Sequence, residues 1–206
     1  SKIKVYDGIS LVVKEGPNYE VKVVTSDNII NDIDVQLNGD MLVVKDNSTC
    51  NISRDYGQTT VYVTAPNLTE LHSRTDQDIR SDGVLNYPNL KLISIDISDG
   101  AGTGDFRLDL NTINLYVESN NVSNFYLTGQ SENLHVFFSW GNGIFYGENL
   151  VANNITFFQR GSNDIVLFPI NSIYGEIFST GNVVLKNNPI LSPGVIQHYT
   201  GRLIID

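Results

Sequence analysis

Two stretches decide the reading of this chain: Phe137-Phe138-Ser139-Trp140-Gly141-Asn142-Gly143-Ile144-Phe145 and Phe157-Phe158-Gln159-Arg160-Gly161-Ser162-Asn163-Asp164-Ile165. They lie twenty residues apart, and each runs from apolar pair through bend to apolar residue. The bend glycine recurs at Gly181 and Gly201, and Asn121 holds the same phase one step earlier. Glycine is the residue that bends with positive φ at least cost, and asparagine is among the next best tolerated. A bend residue held at a fixed period of this length is the signature of a coiled repeat.

Apolar positions keep the same phase. Val117, Phe137, Phe157 and Ile177 read as one inward column, and Phe125, Phe145, Ile165, Leu185 and Ile205 as another. Each unit is then one turn of a coil whose inward side chains stack on the turn before. Twenty residues at ~3.3 Å give a perimeter of roughly 66 Å, and about seven turns at ~4.8 Å give a rod on the order of 30 Å long. An antiparallel sandwich is the competing architecture. It predicts hairpin turns between most strands, which are scarce after Pro66, and it gives no reason for a twenty-residue phase.

The first third reads differently. Ile9 to Val13 and Tyr19 to Val24 flank a turn-rich bridge, and Ile33 to Leu37 and Met41 to Val44 flank Asn38-Gly39-Asp40. Asn-Gly between alternating runs is a strong hairpin signal. Thr59 to Thr64 is a further strand, and Asp46 to Gln58 reads as a polar loop carrying Cys50. The expectation is one all-β domain over 1–206: antiparallel strands capping the coil at 1–65, and repeat coils over 66–206.

Composition narrows function. The 206 residues carry a formal charge of −10, with 41% apolar and 17% charged residues. Nucleic acids and anionic membranes require clustered Lys and Arg, so neither is an expected partner. A single cysteine allows no intrachain disulfide, and the three histidines show no metal-ligand spacing. No apolar run is long enough for a spanning helix. The start at Ser1-Lys2 is one expected of a trimmed, exported chain. No catalytic constellation, metal site or cofactor site is read here.

The chain resembles a known bacterial family, the putative auto-transporter adhesin head GIN domain. The residues that carry the resemblance are Tyr6-Asp7-Gly8-Ile9-Ser10-Leu11, the hairpin Val35 to Val44, the passage Val63-Thr64-Ala65-Pro66-Asn67-Leu68, and Asn-Leu units ending in bends such as Ser98-Asp99-Gly100-Ala101-Gly102-Thr103-Gly104-Asp105-Phe106. The resemblance implies a right-handed parallel β-helix and an exported protein of the Gram-negative envelope or surface, often a lipoprotein. It implies adhesion and no established enzymatic activity. After residue 111, aromatic residues stand where family repeats have small ones.

Those aromatics supply the candidate binding residues. With Phe137 and Phe157 inward, alternation turns Phe138, Trp140, Phe158 and Phe178 outward. Such a row suits a protein contact first and stacked sugar rings second. A protein or glycan at the cell surface is the expected partner, and the apolar C-terminal strand Leu203-Ile204-Ile205 suggests pairing of copies through that edge. A carbohydrate-binding or polysaccharide-cleaving β-helix protein is the alternative reading. Its candidate carboxylates are Asp96, Asp99, Asp105 and Asp109, although aspartate also favours turns. The same bend holds one imperfect copy of a calcium-binding Gly-Gly-x-Gly-x-Asp repeat. His135 near Tyr146 reads as structural.

Overall fold

The computed structural model describes residues 1–48, 59–97, 100, 102–191 and 193–206. Cys50 and Asp99 therefore lie outside the described residues. Sixteen strands account for nearly all regular structure: β1 (Lys2–Tyr6), β2 (Ile9–Glu15), β3 (Glu20–Val24), β4 (Ile33–Asn38), β5 (Met41–Asp46), β6 (Thr59–Ala65), β7 (Glu70–Arg74), β8 (Ile79–Leu85), β9 (Asn89–Ser94), β10 (Phe106–Ser119), β11 (Phe125–Phe138), β12 (Phe145–Gln159), β13 (Ile165–Ile177), β14 (Val183–Leu185), β15 (Gly194–Gln197) and β16 (Leu203–Ile205). The chain is a parallel β-helix of about 6 turns with about 21 residues per turn, slightly shorter than the seven turns expected.

Two ladders run along the coil. On face A the order is β3-β6-β2-β8, then the first halves of β10 to β13, then β14 and β16. On face B it is β4-β5-β1-β7-β9, then the second halves of β10 to β13, then β15. Strands β10 to β13 are long because each bends around one corner without losing its pairing. In β10 the alternation breaks at Ile113 and Asn114, two successive exposed residues, and resumes on face B with Leu115 inward. The core is a column of inward Val, Leu, Ile and Phe, including Phe106, Phe125 and Phe145, all fully buried.

The first third is mostly parallel, which corrects the antiparallel expectation. The Asn38-Gly39-Asp40 hairpin forms as read, joining β4 and β5 with Gly39 at φ 64°. Strand β3 is the other antiparallel element, on β6. But β1 lies parallel between β5 and β7, and β2 parallel between β6 and β8. The N-terminal segment is thus a full rung inside the stack. Local alternation is the same in parallel and antiparallel strands, so the sequence pattern carries no sign of this insertion.

The bend column is real but rests on another cause than the one expected at most of its members. Among Asn121, Gly141, Gly161, Gly181 and Gly201, positive φ occurs at Gly141 alone, at 92°. At Gly181 the constraint is a close rung: a Cβ there would stand 2.1 Å from the Asn163 carbonyl oxygen. Gly161 and Gly181 occupy adjacent rungs, with the Gly181 N–H donating to the Gly161 carbonyl at 3.4 Å.

Both inward columns need re-registering. Phe125, Phe145 and Ile165 are followed by Val183 and Leu203, whereas Leu185 and Ile205 stack under Leu167. On face B, Val117 stacks on Val136 and Phe157, while Ser119, Phe138, Gln159 and Ile177 form the next column. The corner beyond that column is polar inside. Asn121 accepts from the Ser123 N–H at 3.1 Å and donates to Ser94 Oγ at 3.0 Å. Two rungs on, buried Gln159 does the same work, accepting from the Gly161 N–H at 3.0 Å and donating to the Asn163 carbonyl at 2.6 Å. Each satisfies backbone groups that the bend removes from the ladder.

Candidate functional site: an aromatic ladder on face B

Face B carries outward rows set by the parallel register. One runs Lys2, Glu70, Lys91, Tyr116, His135, Thr156 and Tyr174; its neighbour runs Lys4, His72, Ile93, Glu118, Phe137, Phe158 and Glu176. Toward the C-terminal turns these rows become aromatic. Lys91 Nζ lies 4.6 Å from the Tyr116 ring centre. Tyr116 stacks on His135 at 4.7 Å, Phe137 on Phe158 at 4.9 Å, Phe158 on Phe178 at 5.1 Å, and Phe178 on His198 at 4.1 Å. The ladder therefore crosses every turn from β9 to β15.

Two of the four sequence candidates, Phe158 and Phe178, lie in this ladder. Phe158 is half-buried, and Phe178 is 37% exposed. Trp140 is outward as expected, at the corner beside the ladder, and 64% exposed. Phe138 is not a surface residue: it is 1% exposed and packs on Phe125 at 5.7 Å and Phe145 at 6.4 Å. Its neighbour Phe137, expected inward, is the outward one. Leu134, Val136 and Phe138 point in together, and the register from β11 to β12 slips by one residue after Tyr126. A one-residue slip exchanges the faces of every side chain beyond it.

The ring geometry narrows what the ladder can recognise. Successive planes are inclined by 14°, 24°, 34° and 8° and lie about one rung apart. Rings stacked so along the axis cover each other's faces and turn their edges to solvent. A sugar laid on the ladder meets ring edges, not the faces that stack with its C–H groups. The edge of an aromatic ring is its electropositive part, and it is this edge that the ladder presents.

The polar groups around the ladder are tied down. His135 sits with Nδ1 2.6 Å from Thr156 Oγ1, and burial pulls its pKa below the ordinary value although Glu118 acts the other way. Lys91 is paired with Glu118 at 2.9 Å. Further along, His72 contacts Glu70 through Nε2, while its buried Nδ1 has no partner. Burial, reinforced by Lys4, Arg74, Lys91 and Lys2, lowers its pKa to about 4. Tyr146 is not near His135: it stacks on Tyr126 of face A at 4.5 Å, and Arg107 lies 4.0 Å from the other side of that ring.

The described residues of the acidic cluster make separate local contacts, Asp105 through its carboxylate and Asp96 and Asp109 through the backbone. Asp105 accepts from Arg107 Nη2 at 2.9 Å and from Asn124 Nδ2 at 3.0 Å, while the backbone N–H of Asp109 donates to Ser81 Oγ at 2.9 Å and that of Asp96 meets Asn120. Asp78, not singled out in the sequence, joins Arg80 and Arg107. Burial alone raises its pKa, but the two guanidiniums outweigh this and hold the carboxyl below the usual range. A row of amides also escaped notice: Asn89, Asn114, Asn133 and Asn154 are hydrogen-bonded from rung to rung at 2.7 to 3.3 Å. Their signal was the asparagine placed before an inward Leu or Ile.

The fold recurs in solved structures. The chain is similar over its full length to a putative adhesin from Bacteroides fragilis, with 20% identity, a TM-score of 0.88 and 91% of that chain covered. A putative adhesin from Parabacteroides merdae matches over 100% of this chain and 91% of its own, with 13% identity and a TM-score of 0.67. A putative lipid binding protein from Parabacteroides distasonis matches over 98% and 92%, with 12% identity and a TM-score of 0.65. No match was found among curated proteins. The family described as putative auto-transporter adhesin, head GIN domain, matches residues 1–189, and the chain belongs to that family.

Proposed function

We propose that this chain is an exported, non-enzymatic contact module of the Gram-negative cell surface, and that face B is its contact surface. The observation that carries the reading is the uninterrupted ladder from Tyr116 to His198. Its middle, Phe137, Phe158 and Phe178, is apolar, and the whole ladder is edge-on and mounted on parallel backbone ladders, so little freedom is lost when a partner covers it. The adhesin description of the family and of its structural relatives supports the same reading.

The partner is a protein with a complementary apolar surface. Beads coated with the chain are retained on protein-coated or cell-coated surfaces above the level of albumin-coated beads. Joint replacement of Phe137, Phe158 and Phe178 by Ser removes that retention, and glycosidase treatment of the target leaves it intact. Retention that survives the triple replacement ends the reading. Ile196, Ile204 and Ile205 are 57%, 41% and 53% exposed on the C-terminal turn, which supports pairing of copies through that edge. Sedimentation that is concentration-dependent for the wild type but not for Ile205→Asp checks it.

A further inference from the structure

Beside the ladder, the corner of the coil holds a different kind of surface. Trp140, Gly141, Asn142, Arg160, Ser162 and Ser179 line a shallow hollow of about 220 Å³. Trp140 is the chain's one tryptophan. It stands immediately before Gly141, whose φ of 92° and closeness to the next rung (a Cβ would lie 2.2 Å from the Asn121 carbonyl) fix the bend. The Arg160 guanidinium carbon lies 5.4 Å from the Trp140 ring centre, and the indole beside it is 64% exposed.

Arg160 differs from the other described arginines. Arg80 and Arg107 are held by Asp78 and Asp105. Arg74 is buried and donates to the Ser73 carbonyl. Arg202 donates to the carbonyls of Tyr199, Thr200 and Gly201. Arg160 alone among the described guanidiniums has an aromatic ring and no oxygen acceptor, in a chain of net charge −10. In the same hollow, the Asn142 amide and the Ser179 hydroxyl have no hydrogen-bond partner among the described residues. Ser162 donates to the Gly141 carbonyl at 3.2 Å.

We propose that this hollow binds an acidic sugar residue at the end of a glycan. Its carboxylate lies on Arg160, where a planar fork of donors matches it. Its C–H groups lie against the exposed part of Trp140 on the side of the hollow, next to the guanidinium, and its hydroxyls meet Asn142 and Ser179. An acidic peptide side chain uses the guanidinium and leaves the indole, the amide and the hydroxyl idle, so a sugar ring fits the set better. This assignment rests on the contact-module reading and adds a glycan partner at the corner to the protein partner of the ladder.

The test is a titration of the full chain with trigalacturonate, followed by saturation-transfer NMR. The controls are the methyl-esterified trimer, which keeps the sugar and loses the charge, and a hexaglutamate peptide. Saturation transfer to trigalacturonate ring protons is expected, with affinity lower by about tenfold or more for the ester, for Arg160→Gln and for Trp140→Ala. Both replaced side chains are exposed, so circular dichroism and melting match the wild type. Phe158→Ser binds the trimer as the wild type does. Absence of transfer from the wild type, or undiminished binding by Arg160→Gln, overturns the proposal. Hexaglutamate binding equal to that of the trimer also overturns it, by reassigning the corner to acidic peptides. On protein-coated surfaces free of glycan, the bead assay with the ladder variant fails or succeeds independently of these results.

Discussion

The early turns and the later turns share one rung geometry but fill it by opposite means. Where β1, β7 and β9 meet on face B, the outward residues are Lys2, Lys4, Glu70, His72 and Lys91, joined by contacts such as Lys2 to Glu70 at 3.8 Å. Where β10 to β13 meet, the same rows hold Tyr116, His135, Phe137 and Phe158. A parallel coil sets equivalent positions about 4.8 Å apart, so an outward row needs groups that tolerate close neighbours. Alternating charges meet that need in water and weaken with salt. Stacked rings meet it without charge and leave an apolar stripe free for a partner. The early turns also follow an inserted order, whereas the later ones stack in chain order.

The comparison is broken most sharply at β1. Val5 is fully buried between Val44 and Ser73, so Val5→Asp places a carboxylate inside two ladders at once. A loss above ~4 kcal/mol, or failure to fold, is expected. The same change at Leu203, partly buried in the last turn, costs about 1–2 kcal/mol. Urea titration of both variants checks the ratio, and equal losses would show that the inserted rung has no special place. Next in size is Gly181→Val. Its side chain meets the Asn163 carbonyl, for a cost of about 2–3 kcal/mol. Gly39→Ala in the N-terminal hairpin meets nothing and costs about 1 kcal/mol through its φ alone.

The charged half is probed by pH. His72 titrates near the ordinary 6.5 when unfolded and about 4 when folded, so between these values the unfolded chain binds the extra proton. Stability is intact above pH 6.5 and falls as pH drops toward 4, by about 2 kcal/mol at pH 4.5. The difference between wild type and His72→Gln, measured by denaturant titration at pH 7 and 4.5, isolates this part; a constant difference refutes it. An effect as small as that of Gly39→Ala belongs to the aromatic half. Phe158→Ser removes two stacked contacts on the surface and costs about 1 kcal/mol, with no pH dependence.

Much of this was legible in the residues, for definite reasons. Asn38-Gly39 announces its hairpin through backbone preference, and the bend column Asn121 to Gly201 announces the coil because backbone crowding recurs at each rung. What escaped is what depends on register. The twenty-residue glycine phase placed Phe137 under Phe157, yet turns of unequal length put Val136 there and sent Phe138 into the core. The alternation Leu134, Val136, Phe138 held the correct parity. The Trp140 corner was visible as an exposed aromatic. Its partner Arg160 was not, because only the fold shows that no acceptor stands beside that guanidinium. The place of β1 between β5 and β7 depends on contacts 68 residues apart, such as Thr69 with Ser1, and leaves no local trace.

That placement has a consequence in time. Strand β1 is flanked in the finished coil by β5 on one side and β7 on the other, so its slot is complete only once the residues up to Arg74 have been made. The segment must wait unpaired while its two walls arrive. A molecule that loses residues 2–6 therefore does more than shorten: β4 and β5 lose their tie to the rest of face B, while β2 still joins β6 to β8 on face A.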